Sequence, residues 1–326
     1  MLKHKNLLKN KKNLLAFSAG GDSTALFFLL LEKRIPFDIA IVDYGLREQS
    51  KEEVLYAQEL ANTYSLQCYT LQAPKIEQNF EAQARKIRYD FFEELIKGYS
   101  YENLLTAHHL GDRLEWMLMQ FCKGAGCVEL SGMQSVEKRD NYTLIRPLLA
   151  SDKEELIEYL KCNKHHYFKD ESNSDEKYKR NSFRKHFAQP LLAKYKEGIK
   201  KSFQYLDEDK NTLAEELPLT MLKEFAYFQA STQHSNILTI DRYFKSIGKL
   251  LSASERELLK TQNSVVIGRK YIVQQRKDFI FIAPFVEVPM EKRFKEKMRL
   301  LEIEPKLRGY IAQEQEIEEL LTSLLA

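Results

Sequence analysis

The segment Ser18-Ala19-Gly20-Gly21-Asp22-Ser23 constrains this chain more than any other. The aliphatic run Leu14-Leu15-Ala16-Phe17 leads into it, and a second apolar run, Thr24 to Leu31, leaves it. That order predicts a strand, a tight glycine loop and a helix. Adjacent glycines admit backbone angles and close approaches that other residues resist. A helix starting there turns unpaired N–H groups and the positive end of its dipole toward the loop. Ser23 is placed to cap that helix, and Ser18 and Ser23 add hydroxyl donors. Such a loop cradles a phosphate, most simply that of a nucleotide. A purely structural turn between strand and helix is the alternative.

No Lys-Ser/Thr pair follows the last glycine, so the Walker pattern is absent, as is the Gly-x-Gly-x-x-Gly fingerprint. The segment instead resembles the Ser-Gly-Gly-x-Asp-Ser loop of the ATP-pyrophosphatase superfamily. Its members split ATP between the α and β phosphates and adenylate a carbonyl or carboxyl oxygen. Ala19 stands where that loop usually has its first glycine. The change is mild on condition that residue 19 keeps a negative φ.

The 326 residues suggest two domains, at roughly 100–200 residues each. Over the first ~200, apolar strands alternate with helical patterns. Strands are expected at 37–42, 66–71, 103–107 and about 142–148, with helices at 50–65, 79–97 and 110–121. Ser151-Asp152-Lys153-Glu154 reads as a capping box opening a further helix. This alternation implies an α/β fold with a doubly wound parallel sheet. Ligands then sit beyond the carboxyl ends of the strands, at the switch point.

Chemistry-bearing residues follow the strands. Asp43-Tyr44-Gly45-Leu46-Arg47 follows the second, and His108-His109-Leu110-Gly111-Asp112-Arg113-Leu114-Glu115 follows the fourth. On a helix, His108, Asp112 and Glu115 would share one face. Two carboxylates and a histidine there could hold a metal or an ammonium, or act as base. Routine surface ion pairs are the other reading.

With a net charge of only +3, global charge says little about partners, and its distribution says more. Lys177 to His186 is strongly basic, carries two aromatics and follows the acidic stretch 170–176. It suits phosphates and bases, or is simply a solvated helix face. Arg180 and Arg184, one turn apart, are expected to point together toward a phosphate-rich surface. The 4 cysteines, at 68, 122, 127 and 162, lack Cys-x-x-Cys spacing, so a zinc site or disulfide framework is not suggested and a reducing cytoplasm fits. The lysine-rich 1–12 followed by apolar residues imitates a signal peptide, but Gly20, Gly21 and Asp22 interrupt it. No apolar run approaches the ~18 residues of a membrane span. A soluble chain that keeps its N-terminus is expected, without membrane association.

Taken in order, these motifs resemble tRNA(Ile)-lysidine synthase over residues 14 to about 200. The family's Asp-His-Gly-Leu-Arg is here Asp43 to Arg47. Its Glu-x-x-Ala-Arg-x-x-Arg-Tyr is Glu81 to Tyr89, and its His-His-x-Asp-Asp-x-x-Glu-Thr is His108 to Trp116, with Gly111 and Trp116 as departures. Tyr44 is another. Arg146-Pro147-Leu148-Leu149 follows, then Asp170 to Asp175 and Tyr178-x-Arg180-Asn181-x-x-Arg184. The resemblance implies a PP-loop ATPase (adenine nucleotide alpha hydrolase-like) domain at 1–204 and a smaller tRNA-binding accessory domain at 205–326. It implies ligation of free L-lysine to C2 of the wobble cytidine of isoleucine tRNA with a CAU anticodon. ATP and Mg²⁺ are the cofactors, and AMP and diphosphate are released. Ser18, Ala19, Gly20, Gly21, Asp22, Ser23, Asp43 and His108 would line the nucleotide, with Asp22 on the metal. Asp22, Asp112 and Glu115 would be catalytic, the last two binding and activating the amine. Arg88, Arg180, Asn181 and Arg184 would meet tRNA or ATP phosphate.

The last third is expected to be mainly helical over 205–260, with 241–251 and 252–260 amphipathic. A hairpin of 264–267 and 271–273 follows, then a strand at 279–282, and charged helix from Glu287. Packing or homodimer contact is as good a use for it as tRNA binding. Two other functions compete: a tRNA thiolase, for which only Cys122 and Cys127 are a close cysteine pair, and a non-catalytic tRNA-binding protein on an old nucleotide fold.

Overall fold

The computed structural model describes residues 1–45, 49–169, 179–213, 217–276 and 278–325, without the side chains of 211–213. Leu46, Arg47 and the 170–178 motif lie outside the described residues. The chain divides into two compact units, Met1–Asp207 and Glu208–Ala326.

The first unit runs α1 (Lys5–Leu8), β1 (Asn13–Ala16), α2 (Gly21–Glu32), β2 (Phe37–Asp43), α3 (Gln49–Thr63), β3 (Cys68–Gln72) and α4 (Phe80–Tyr99). It continues with β4 (Asn103–Leu105), α5 (Leu110–Phe121), α6 (Cys127–Ser131), β5 (Val136–Lys138), β6 (Thr143–Ile145), α7 (Lys153–Cys162) and α8 (Lys179–Phe183). A π-helical turn, Arg184–Ala188, leads into α9 (Gln189–Leu213). The sheet order is β3-β2-β1-β4-β6-β5, parallel except for the antiparallel β5 edge. The chain moves outward from β1 to β3, then returns to place β4 on the other side of β1. The loops after β1 and β4 therefore flank the switch point, where this architecture binds ligands.

Burial explains why these segments settle here. Leu14 and Leu15 of β1 have no exposed surface, and α2 is buried continuously from Ser23 to Leu30. A helix apolar all round belongs in the interior. Phe27 makes an edge contact with Phe37 at 5.2 Å and lies 5.7 Å from Phe17. Two buried amides join the strand starts: Asn103 Nδ2 donates to Asn13 Oδ1 at 2.8 Å, and Asn13 Nδ2 donates to the Pro36 carbonyl at 2.7 Å. The capping box of α7 sits one residue later than read from sequence. Asp152 is the N-cap and Glu155, not Glu154, accepts its N–H.

The second unit comprises β7 (Thr220–Leu222), β8 (Phe225–Gln229), α10 (Gln233–Ser246), α11 (Ala253–Thr261), β9 (Ser264–Ile267), β10 (Tyr271–Arg276), β11 (Phe279–Pro284), α12 (Lys292–Leu300), α13 (Pro305–Ile311) and α14 (Gln315–Leu325). Its antiparallel sheet has the order β7-β8-β11-β10-β9. The expected hairpin is β9–β10, but it belongs to five strands, and 205–260 is not wholly helical. Phe225-Ala226-Tyr227-Phe228 forms β8 because both of its faces are covered, so no polar alternation marks it as a strand. Ala226, Phe228, Val273 and Ile282 pack with Ile240 and Phe244 of α10. Phe225, Ile272 and Phe281 pack with Met298, Leu307, Ile317 and Leu321 of α12, α13 and α14. Among the described residues no helix is long and apolar enough to cross a membrane.

Candidate functional site

The glycine loop sits between β1 and α2 as its residue types require. Gly20 is the N-cap of α2, so Ser23 lies within the first turn and does not cap it. Its hydroxyl works inside the loop: it accepts the Ser18 N–H at 3.2 Å, donates to the Gly20 carbonyl at 3.1 Å, and lies 3.1 Å from Ser18 Oγ. The N–H groups of Gly21, Asp22 and Ser23 have no intrahelical acceptor, which suits an anion. A Cβ on Gly21 would stand 2.6 Å from Ile157 Cδ1, so the loop needs glycine where α7 crosses.

Ala19 does not keep a negative φ: it lies at φ +56, in the left-handed region, fully buried. The backbone holds it there, because the Ala19 carbonyl accepts the Phe168 N–H at 2.9 Å and Gly20 forms a parallel bridge with Phe168. For an alanine that conformation costs roughly 1–2 kcal/mol. Its buried methyl returns about 0.8 kcal/mol, and glycine would lose about 0.5–1 kcal/mol more chain entropy. Ala19→Gly is therefore expected to leave stability within about 1 kcal/mol. Ala19→Val, which adds branching at a buried left-handed position, is expected to lose about 2–3 kcal/mol. Urea unfolding of both variants checks this contrast.

The opposite wall follows β4. His108 precedes α5, so it does not share the helix face of Asp112 and Glu115; its Nδ1 lies 2.9 Å from Thr106 Oγ1. Burial pushes its pKa down to about 4, helped by Arg146, Arg180 and Arg85 and opposed by Asp112. His108 is thus neutral at ordinary pH. The unfolded chain binds that proton more readily, so His108 favours the fold above its ordinary 6.5, and the contribution is lost as pH falls toward about 4. A shift of this size is worth on the order of 3 kcal/mol. His108→Gln is expected to flatten the loss of stability across that window, as measured by urea unfolding at stepped pH.

His109 is a site residue the sequence reading passed over. It is the N-cap of α5: its Nδ1 accepts the Gly111 N–H at 3.0 Å, and its own N–H donates to Asp112 Oδ2 at 2.9 Å. With Nδ1 accepting, the ring proton sits on Nε2. Nε2 lies 3.8 Å from Asp22 Oδ2 and 3.5 Å from Asp112 Oδ2, so one imidazole bridges the two walls. A Cβ at Gly111 would stand 2.8 Å from His109 Cε1. The glycine that departs from the family pattern is what lets the ring lie over the first turn. The adjacent His-His pair directly before a helical pattern was the signal available.

Asp112 and Glu115 are 8% and 1% exposed. Arg180 reaches Asp112 at 2.7 Å and Glu115 at 3.0 Å; Arg184 reaches Glu115 at 2.6 and 3.2 Å. The two arginines therefore point inward at the carboxylates, not outward at a phosphate-rich surface. Burial alone would raise the Asp112 carboxyl, but the histidines, Arg180 and the His109 N–H hold it well below the usual range. Burial likewise opposes the charge on Arg180, and the two carboxylates outweigh it. Asn181 lies between the arginines on α8.

The remaining candidates are more peripheral. Asp43 ends β2 and accepts the Gly45 N–H at 2.7 Å. Tyr44 donates to the Ala84 carbonyl at 3.0 Å, tying the β2 exit to α4. Arg88 is exposed on α4, near enough to Tyr44 to oppose the rise that burial imposes on its hydroxyl. Trp116 is half exposed on α5, with its indole where a Cβ on Gly132 would stand. Asp22 brings two further observations. Its Oδ1 is buried without a hydrogen-bond partner, and its Oδ2 lies 3.7 Å from Lys153 Nζ.

Comparison with known proteins agrees with this layout. Residues 1–191 match the family model of the PP-loop domain. The tRNA(Ile)-lysidine synthase of Helicobacter pylori strain J99 is 45% identical over 304 residues, covering 92% of this chain and 89% of that protein. That of Wolinella succinogenes is 45% identical over 311 residues, 95% of each. That of Campylobacter jejuni strain RM1221 is 41% identical over 305 residues, 94% of each. Among solved structures, the U34-tRNA thiolase NcsA of Methanococcus maripaludis superposes with a TM-score of 0.53 at 18% identity, over 64% of this chain and 76% of that one. That likeness is one of fold.

Proposed function

Since the chain belongs to the tRNA(Ile)-lysidine synthase family, we propose that its site joins free L-lysine to C2 of the wobble cytidine of isoleucine tRNA bearing a CAU anticodon. ATP is consumed and AMP and diphosphate are released. The observation that carries this reading is His109. Its ring bridges a phosphate loop on one side and a buried carboxylate pair on the other, as a two-step ligation requires.

In the first step the cytidine C2 oxygen attacks the α-phosphorus. The bond to the bridging oxygen breaks, and the electron pair leaves with diphosphate. The N-terminus of α2 and the loop hydroxyls receive phosphate charge, a task in which preorganised donors are effective. The buried, unpartnered Oδ1 of Asp22 fits a hard cation, and Asp22 would hold Mg²⁺, which neutralises triphosphate oxygens when bound. In the second step the ε-amine attacks C2 and AMP departs with the C–O bonding pair. An amine of pKa near ~10.4 arrives mostly as ammonium. Asp112 and Glu115 are its seat, and one of these carboxylates takes the ammonium proton as the freed lone pair attacks C2. The guanidiniums of Arg180 and Arg184 fill that seat in the structure, sparing two nearly buried carboxylates an unpaired state. Lysine entry then displaces arginine contacts, and the freed arginines are available to phosphate.

We assign catalysis to Met1–Asp207 and a tRNA-accessory role to Glu208–Ala326, working in the cytoplasm. The test incubates the protein with ATP, radiolabelled lysine and tRNA transcripts, then digests the RNA and identifies the nucleoside. Label in a modified cytidine of the CAU-bearing isoleucine transcript is expected. Label absent with lysine but present with a sulfur donor would overturn the assignment in favour of a thiolase.

A further inference from the structure

Lys153 occupies a position that helix electrostatics disfavours. It is the first residue of α7, beside the positive end of that helix's dipole, where an anion is preferred. The nearby N-cap carboxylate does not compensate it, because Asp152 is engaged by Lys196 at 3.1 Å. Among the described residues its ionic partner is Asp22 Oδ2, at 3.7 Å, a charge contact too long for a hydrogen bond. Its side chain is 43% exposed. The helix start that carries Lys153 is fixed beside the loop, since Ile157, one turn along α7, packs where a Gly21 Cβ would be. A cation is thus held beside the phosphate loop without a close partner.

We propose that Lys153 is a catalytic residue that binds the β and γ phosphates of ATP and receives the charge of the leaving diphosphate. The inference rests on the adenylation reading above. The end of the triphosphate follows from position. His109 borders both Asp22 and Asp112, so the reacting oxygen and the α-phosphorus meet on that side. Lys153 approaches the same Asp22 oxygen as His109 but pairs with Asp22 and not with Asp112, which leaves it on the loop side of the site, toward the rest of the triphosphate. When the α-phosphorus to bridging-oxygen bond breaks, the electron pair and a new negative charge go to diphosphate. The ammonium neutralises them without giving up a proton.

Three proteins decide the matter: wild type, Lys153→Met and Lys153→Arg, each as the full chain. Calorimetric binding of α,β-methylene-ATP and of AMP, both with Mg²⁺, separates the two ends of the nucleotide. Lys153→Met is expected to weaken the analogue about 10- to 100-fold and to leave AMP within about twofold, with arginine restoring most of the loss. Single-turnover diphosphate release with the isoleucine tRNA transcript and no lysine should fall at least as far. Equal weakening of both ligands would mean that Lys153 only shapes the loop, and no weakening would mean it meets no phosphate; either overturns the proposal. If the wild type itself binds the analogue but releases no diphosphate, the adenylation reading fails instead. The binding comparison still judges Lys153 in that case.

Discussion

Glu115→Ala is expected to abolish lysidine formation and to destabilise the first unit by about 3 kcal/mol. Glu115 is 1% exposed and binds both Arg180 and Arg184. Removing it leaves two guanidiniums facing a cavity without the carboxylate they share. Arg180 is 36% exposed and can turn partly to water, whereas Arg184, at 16%, has less room. That asymmetry sets the estimate at the lower end for a broken buried pair. Glu115→Gln keeps the volume and one acceptor, so it isolates chemistry from folding. With tRNA and ATP it should form the adenylated RNA and release diphosphate, yet fail to discharge it with lysine. Denaturant unfolding together with the two half-reactions measures both effects. A glutamine variant blocked already at diphosphate release would move Glu115 to the nucleotide side.

Asp22→Asn should behave in the opposite way. Diphosphate release is expected to fall about 10²–10³-fold, the scale of losing one charge-stabilising group at a developing charge. Thermal stability should be unchanged or slightly raised. The physical reason is the unpartnered Oδ1: no protein hydrogen bond is lost, and a buried acceptor that lacks a donor is exchanged for a neutral amide. A melting temperature lowered by many degrees would instead make Asp22 a structural residue.

What could be read from the sequence was local. The run Ser18 to Ser23 between two apolar segments specifies strand, loop and helix with no help from distant residues. The parallel strands follow from alternation alone. The failures have a common cause. Arg180 and Arg184 lie more than 60 positions from Glu115, so nothing local tells an inward guanidinium from a solvated one. His108 looked helical because its spacing to Asp112 fits a helix, yet His109, as N-cap, starts the helix after it. The negative φ expected at Ala19 fails because its left-handed backbone is imposed by Phe168, some 150 residues away. The strands β5, β7 and β8 escaped notice because they are short or apolar on both faces.

The coverage of the second sheet decides how that unit can engage RNA. Small RNA-binding sheets commonly offer an open aromatic platform on which unstacked bases lie. Here Phe225, Phe228 and Phe281 are buried beneath helices and cannot serve as such a platform. Any grip on a nucleic acid must come from helix surfaces and from turns such as Gly268-Arg269-Lys270, which is exposed along its length. Contacts of that kind read backbone shape and phosphate spacing rather than base identity. If the second unit takes the accessory role proposed for it, it would measure the shape of a folded RNA and leave the choice of base to the first unit.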